Sequence, residues 1–70
     1  MEEFDLSMLT PREREILQLL AQGKRLVEVA AMLHIEYDTA KKHMASAREK
    51  TGSSTTMQLA IKAAGVLRQE

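Results

Sequence analysis

The 70-residue sequence predicts an all-α fold, a small four-helix bundle that contains a helix-turn-helix. Two helix signatures stand at helix-turn-helix spacing, a short helical pattern lies between them, and a further apolar helix follows. The length corresponds to a single small domain, with 44% hydrophobic and 29% charged residues. We expect residues 1–8 to form an N-terminal tail or linker and residues 9–70 to form the helical domain.

The first predicted helix has the clearest start signal in the chain. Thr10 can cap it, Pro11 occupies the first helical position, and Glu13 completes a Thr-x-x-Glu capping box. The Gln22-Gly23 pair then ends the helix. At about 100° per residue, one face of this helix is apolar and contains Ile16, Leu17, Leu20 and Ala21.

Two further helices complete the predicted helix-turn-helix. The second covers about residues 26–33, and its apolar stripe contains Leu26, Val29, Ala30 and Leu33. The third covers about residues 37–51, and its buried stripe contains Ala40, Met44, Ala47 and Thr51. The outward face of the third helix then carries Lys41, Lys42, Ala45 and Glu49, with Asp38 and Arg48 at its edges.

A fourth helix is predicted after a Ser54 cap, and it extends to about Leu67. Its apolar residues occupy two faces, so that it has two surfaces to bury. One face contains Met57, Ala60, Ile61 and Ala64, and the other contains Leu59, Ala63 and Val66. We expect one face to cover the core and the second to pair with another copy of the chain, unless it is simply exposed. The expected interface residues are Leu59, Lys62, Ala63 and Val66.

Ordered motif matches run through about residues 9–64. The matching residues are Leu9, Thr10, Arg12, Glu13, Glu15, Ile16, Leu17, Gly23, Glu28, Val29, Ala30, Leu33, Ile35, Thr39, Lys41, His43, Lys50 and Gly52. This order resembles the LuxR/GerE-type helix-turn-helix domain of bacterial transcription regulators. The family pattern reads L-T-x-R-E-x-E-V-L, G-x-x-x-x-E-I-A, L-x-I-S-x-x-T-V-K-x-H and K-L-G. Each match alone is weak, but their number and order make the resemblance strong.

The resemblance implies sequence-specific binding of double-stranded DNA by a cytoplasmic bacterial transcription regulator. The third helix would enter the major groove, and the fourth would pair two copies on a two-fold related site. Relatives often carry an N-terminal sensory or receiver domain, and RNA polymerase is a further partner that the resemblance allows. The resemblance implies that the positions of Lys41, Lys42 and Ala45 read base edges. Relatives carry polar residues where Leu26 and Val27 stand, and one of these often approaches a DNA phosphate. Lys24 and Arg25, just before the second helix, could take over that phosphate contact, unless they only solvate a loop. The complete set of expected DNA-binding residues is Lys24, Arg25, Thr39, Lys41, Lys42, His43, Ala45 and Arg48.

The charge balance favours only modest attraction to DNA. Ten basic and ten acidic residues cancel, and residues 36–50 carry four basic residues against three acidic ones. Non-specific binding to phosphates should therefore be weak, and tight binding by one copy is not expected. The alternative is a helical protein-interaction module that has lost DNA binding, which Val27, Ala45, Asp38 and Glu49 favour. A sigma-factor-type helix-turn-helix fits less well, because an apolar helix follows Gly52.

Other functional classes lack sequence support. The sequence shows no nucleophile–base pair, no phosphate-binding loop and no metal-ligand spacing, so we expect no catalytic residue, no metal, no cofactor and no enzyme activity. The absence of cysteine excludes a disulfide framework. No apolar run approaches the about 18 residues that a membrane span requires. Phe4 and Tyr37 are the only aromatic residues, which argues against binding of single-stranded nucleic acid.

Overall fold

The computed structural model describes the chain from Leu6 to Leu67, without the side chains of Leu6, Val66 and Leu67. Four α-helices follow a short 3₁₀ turn at Leu6–Met8, and no strand occurs between residues 6 and 67. The all-α, four-helix fold class is therefore confirmed. The helices are α1 at Pro11–Ala21, α2 at Leu26–Met32, α3 at Tyr37–Thr51 and α4 at Thr56–Leu67.

The predicted start of α1 is confirmed atom by atom. The Glu13 N–H donates to Thr10 Oγ1 over 3.2 Å, and the Thr10 N–H donates to Glu13 Oε1 over 2.9 Å. Pro11 stands at the first helical position, where its missing N–H has no helical partner to lose. The helix ends at Gln22 and Gly23, and Gly23 adopts a φ of 96° that favours glycine.

The turn between α2 and α3 has the hydrogen bonds of a Schellman motif. The Ile35 N–H donates to the Ala30 carbonyl over 3.0 Å, and the His34 N–H donates to the Ala31 carbonyl over 3.2 Å. His34 takes the left-handed position with a φ of 59°, where many helices have glycine. Because this turn begins after Met32, α2 ends one residue earlier than predicted, whereas the bounds of α3 agree with the prediction.

The inner face of α3 contributes directly to the core. Ala40, Met44 and Ala47 are completely buried, whereas Thr51 is half-buried and donates its hydroxyl to the Ala47 carbonyl over 2.8 Å. Helix α1 packs against all three other helices, and α3 packs against α2 and α4. The core cluster consists of Leu9, Ile16, Leu17, Val29, Met44, Ala47, Leu59 and Ala63.

The predicted Ser54 cap of α4 is wrong by one residue. The Gln58 N–H donates to Thr55 Oγ1 over 3.0 Å, so Thr55 caps a helix that begins at Thr56. Ser54 has a different partner, because its N–H and hydroxyl both bond to the side-chain oxygen of Gln58. Two adjacent hydroxyl residues could each serve as the cap, and the Gln58 side chain decides between them.

The predicted inward and outward faces of α4 are reversed. Leu59 and Ala63 have exposed fractions of 0% and belong to the core, so their assignment to an interface between copies is wrong. The exposed apolar residues are instead Met57 at 74% and Ile61 at 67%. Lys62 is exposed as expected, and the predicted role of the Val66 side chain lies outside the described residues.

An ion pair connects α1 to the end of α3. Lys50 Nζ lies 2.8 Å from Glu13 Oε1, and Glu13 is 2% exposed. Burial raises the pKa of the Glu13 carboxyl, but hydrogen bonds from Lys50, the Thr10 N–H and the Ser46 hydroxyl, together with the Lys50 charge, outweigh it. The net effect lowers the pKa, so the folded chain favours the ionised carboxylate.

We expect Glu13→Gln to lower the free energy of unfolding by about 1–3 kcal/mol at pH 7, since it removes hydrogen bonds to a charged group. The folded-state pKa of Glu13 is lowered, so its contribution is fully present above the unfolded value of about 4.3 and is lost as the pH falls through the folded value. Urea melts at pH 7 and below pH 4 measure this difference. The matched control is Glu15→Gln, which breaks the exposed pair with Arg12 and should cost less than about 1 kcal/mol. A difference between wild type and Glu13→Gln that stays constant down to pH 3 would contradict the assignment.

Two glycine-to-alanine substitutions should change stability in opposite directions. Gly52 ends α3 with a φ of 69°, so Gly52→Ala should cost about 1 kcal/mol because alanine disfavours this backbone conformation. Gly65 lies within α4 with open space around its Cα, so Gly65→Ala should stabilise the chain by about 0.5–1 kcal/mol. Thermal melts of both variants provide the comparison. If both variants changed the melting temperature equally and in the same direction, the left-handed backbone of Gly52 would not be what glycine is needed for at the end of α3.

Candidate nucleic-acid interface

The face of α3 opposite the core carries the exposed lysines. Lys41 and Lys42 are exposed, as is Thr39, two residues before Lys41. This follows from the rotation of the helix, because Ala40 and Met44 occupy the inward positions. The face also carries two exposed acidic residues, Asp38 and Glu49, one near each end of the helix. Its surface is therefore mixed in charge, with the two lysines between the two carboxylates and nearer the N-terminal end.

Lys41 interacts with two residues of the first turn of α3. Its Nζ lies 3.2 Å from Asp38 Oδ1 and 4.9 Å from the centre of the Tyr37 ring, close enough for a cation–π contact. Both contacts are on the surface, and an exposed ion pair of this kind contributes little to stability. The ammonium group of Lys41 is therefore held in place but remains accessible.

Lys42 has a different environment. Among the described residues it makes no hydrogen bond and no ion pair. Its charge is therefore available to a partner without the loss of a hydrogen bond or an ion pair. The two neighbouring lysines thus differ, since Lys41 is positioned and Lys42 is not.

Three other predicted contact residues of α3 lie on its flanks. His43, Ala45 and Arg48 are all half-buried, so none of them projects fully from the surface. The Nε of Arg48 is buried, and within residues 6–67 it has no hydrogen-bond partner. Ala45 and Arg48 line a shallow depression between the end of α3 and the start of α4, together with Glu49, Gly52, Ser53 and Ser54.

Lys24 and Arg25 form the second predicted group, at the start of α2. Both are exposed, and the Arg25 Nε lies 3.6 Å from Glu28 Oε1. The Arg25 N–H donates to the same Glu28 oxygen over 2.9 Å. This backbone hydrogen bond is the largest cause of the lowered pKa of Glu28, and the nearby charges of Arg25 and Lys24 add to it. Lys24 and Arg25 directly precede α2, which packs against the helix that carries the first basic group.

Tyr37 belongs to this surface although it was not predicted there. The spacing of Tyr37 and Lys41, four residues apart in a helix, was the available signal, because residues at this spacing are neighbours on one face. The ion pair of Asp38 and Lys41 follows from the same rule at a spacing of three. No group of residues suited to bind a metal ion occurs in the described part of the chain. None of the described helices is long and apolar enough to cross a membrane.

Comparison with known proteins assigns the chain to a family. The sequence pattern of the GerE family, described as bacterial regulatory proteins of the luxR family, matches residues 7–63. The chain belongs to this family. The predicted resemblance is thereby confirmed, and so is the expectation that the chain is not an enzyme, because the family consists of transcription regulators.

Individual relatives show how much of a regulator the chain represents. It is 47% identical over 45 residues to the transcriptional activator protein BjaR1 of Bradyrhizobium diazoefficiens, which covers 64% of the chain and 19% of BjaR1. It is 37% identical over 54 residues to the spore germination protein GerE of Bacillus subtilis, which covers 77% of the chain and 73% of GerE. The nitrate/nitrite response regulator NarL of Escherichia coli is 37% identical over 59 residues, which cover 84% of the chain and 27% of NarL. The chain thus spans about a fifth of BjaR1, a quarter of NarL and most of GerE.

Proposed function

We propose that the chain binds specific sites in double-stranded DNA, with α3 in the major groove. The observation that carries the proposal is the division of α3 into a completely buried face and an opposite face that exposes Lys41 and Lys42. A rigid helix of this kind fits the major groove, where side chains near its N-terminal end reach base edges. Family membership supports the proposal, because the relatives are bacterial transcription regulators.

The two basic groups have different roles in this proposal. Lys41 and Lys42 contact base edges, whereas Lys24 and Arg25 lie at the start of α2 and contact the phosphate backbone. Phosphate contacts fix the orientation of a protein on the duplex, and base contacts provide its specificity. Helix α2 packs against α3 and braces it. DNA in the bacterial cytoplasm is the site of action.

Two copies pair on the DNA through the exposed face of α4. Met57 and Ile61 lie one turn apart and are the most exposed large apolar residues in the described part of the chain. Lys62 borders this face and is exposed. Two such side chains bury far less area than the about 1,200 Å² of a stable complex. The pair is therefore weak in free solution and forms when two copies occupy adjacent half-sites.

A protein-interaction module is the second candidate function. Val27 and Met32 on α2 are half-exposed apolar residues, 49% and 50% exposed, and either could contribute an apolar contact to a protein partner. Such a module would bind a protein partner and no duplex DNA. The DNA-binding measurement below separates the two functions, because only the first one requires the lysines of α3.

We expect Lys42→Ala to weaken binding to a selected duplex by about 5- to 150-fold, the range for one good base contact. Because Lys42 is exposed and makes no hydrogen bond or ion pair among the described residues, the helical circular dichroism should stay unchanged. The matched control is Arg12→Ala, which removes one positive charge from α1 and should change affinity by less than about threefold. Equal losses in both variants would mean that only total charge matters. Absence of wild-type binding to any duplex would favour the interaction module.

We expect Ile61→Glu to abolish cooperative binding to a duplex with two half-sites while leaving binding to one half-site intact. The substitution places a carboxylate on the exposed face of α4, where it opposes apolar pairing without disturbing the core. Sedimentation of the protein–DNA complex gives the stoichiometry. The control is Gln18→Glu, which adds the same charge to an exposed position of α1, away from this face. A two-to-one complex that survives Ile61→Glu would exclude this face as the interface.

A further inference from the structure

The first turn of α3 presents an acid and a base side by side. Asp38 Oδ1 and Lys41 Nζ are 3.2 Å apart, with side-chain exposures of 81% and 53%. The two side chains lie on the outward face of the helix, near its N-terminal end. In a helix-turn-helix, this end of the helix reaches the base edges. A hydrogen-bond acceptor and a donor are thus offered to the DNA at a fixed spacing.

The major-groove edge of a G·C base pair offers the complementary arrangement. Cytosine presents its N4 amino group as a donor, and guanine presents O6 and N7 as acceptors. Cytosine N4 and guanine O6 bond to each other within the pair, so they are separated by a normal hydrogen-bond distance of about 2.9 Å. This distance is close to the 3.2 Å between Asp38 Oδ1 and Lys41 Nζ.

We propose that Asp38 and Lys41 together read one G·C base pair. Asp38 accepts a hydrogen bond from cytosine N4, and Lys41 donates to guanine O6 and N7. The ammonium group has three donors, so it can keep its bond to Asp38 while it contacts both guanine acceptors. The Tyr37 ring, 4.9 Å from Lys41 Nζ, limits the positions that the ammonium can take. The proposal rests on the proposed function and adds to it the identity of one recognised base pair.

An A·T pair fits the same two side chains less well. Its adenine N6 donor and thymine O4 acceptor are also neighbours, but adenine N7 is an acceptor that lies next to N6 and repels the carboxylate. The thymine methyl group lies next to O4, where the G·C pair gives the ammonium a second acceptor. Asp38 therefore selects partly by repulsion, since a carboxylate that lies beside the adenine N7 acceptor is unfavourable.

The test is a selection of bound duplexes from a random-sequence library by the wild type, Asp38→Ala and Glu49→Ala. Glu49→Ala is the matched control, because it removes one exposed negative charge from the same face of α3, three turns away. We expect the wild type to prefer G·C by about tenfold at one position of each half-site, within the range for one good contact. Asp38→Ala should reduce this preference to less than about twofold and leave the other positions unchanged.

The control should behave differently. Glu49→Ala should raise affinity for all duplexes by a similar factor and leave every base preference unchanged, because it removes only repulsion from the phosphates. If Asp38→Ala acts like Glu49→Ala, Asp38 is a general negative charge and the proposal is overturned. If the wild type enriches no sequence, both the proposed function and the G·C proposal fail. If the wild type enriches a sequence but Asp38→Ala keeps its preference for G·C, only the G·C proposal fails.

A second variant gives a positive readout. Asp38→Asn keeps the size of the side chain and adds an amide donor, and asparagine pairs with adenine N6 and N7. We expect Asp38→Asn to shift the preference at the same position from G·C towards A·T. Circular dichroism of each variant checks that α3 is still formed. An unchanged G·C preference in Asp38→Asn would contradict a direct contact with cytosine.

Discussion

The rotation of α3 about its own axis is fixed by the three completely buried side chains of its inner face. Ala40 and Ala47 are small, so the neighbouring helices can approach closely, and Met44 fills the space between them. The ion pair of Glu13 and Lys50 connects the last turn of α3 to α1. A rotation by one residue, about 100°, would turn Lys41 inward and cost the burial of an ammonium group. The exposed lysines are therefore a consequence of packing.

This rotation matters because electrostatic attraction alone is weak in this chain. The formal net charge is zero, so specificity has to come from a small number of well-placed contacts. Lys41 is paired with Asp38 and lies near the Tyr37 ring, whereas Lys42 makes no hydrogen bond or ion pair among the described residues. The proposed base contacts therefore come from two lysines with different surroundings. The proposed pairing through α4 adds to these contacts, since two weak sites that are joined together bind more strongly than either site alone.

The sequence predicted those parts of the fold that depend on local chemistry. The Thr10 capping box sets the start of α1, and Gly52 sets the end of α3. Both signals involve only a few consecutive residues, so both were predictable. The faces of α4 were not, because this helix is apolar on two sides and periodicity does not tell which side meets α1. Leu59 was consequently assigned outward although it is buried.

The candidate site was predictable to a similar degree. The outward position of Lys41 and Lys42 follows from the apolar stripe that contains Ala40 and Met44. The ion pair of Glu13 and Lys50 joins residues 37 positions apart, so no local pattern could indicate it. The half-buried position of Arg48, with its buried Nε, depends on the packing at the end of α3. The local sequence pattern could not predict it either.

The central claim is that the outward face of α3 is the surface that meets DNA. The most direct measurement is an NMR titration of the ¹⁵N-labelled chain with a duplex enriched from a random-sequence library. We predict that the largest backbone shift changes fall on residues 38–45 and on Lys24 and Arg25, with small changes in α1. Changes centred on α4 or spread evenly over the bundle would contradict the account, because DNA would then bind without using the face that packing leaves exposed.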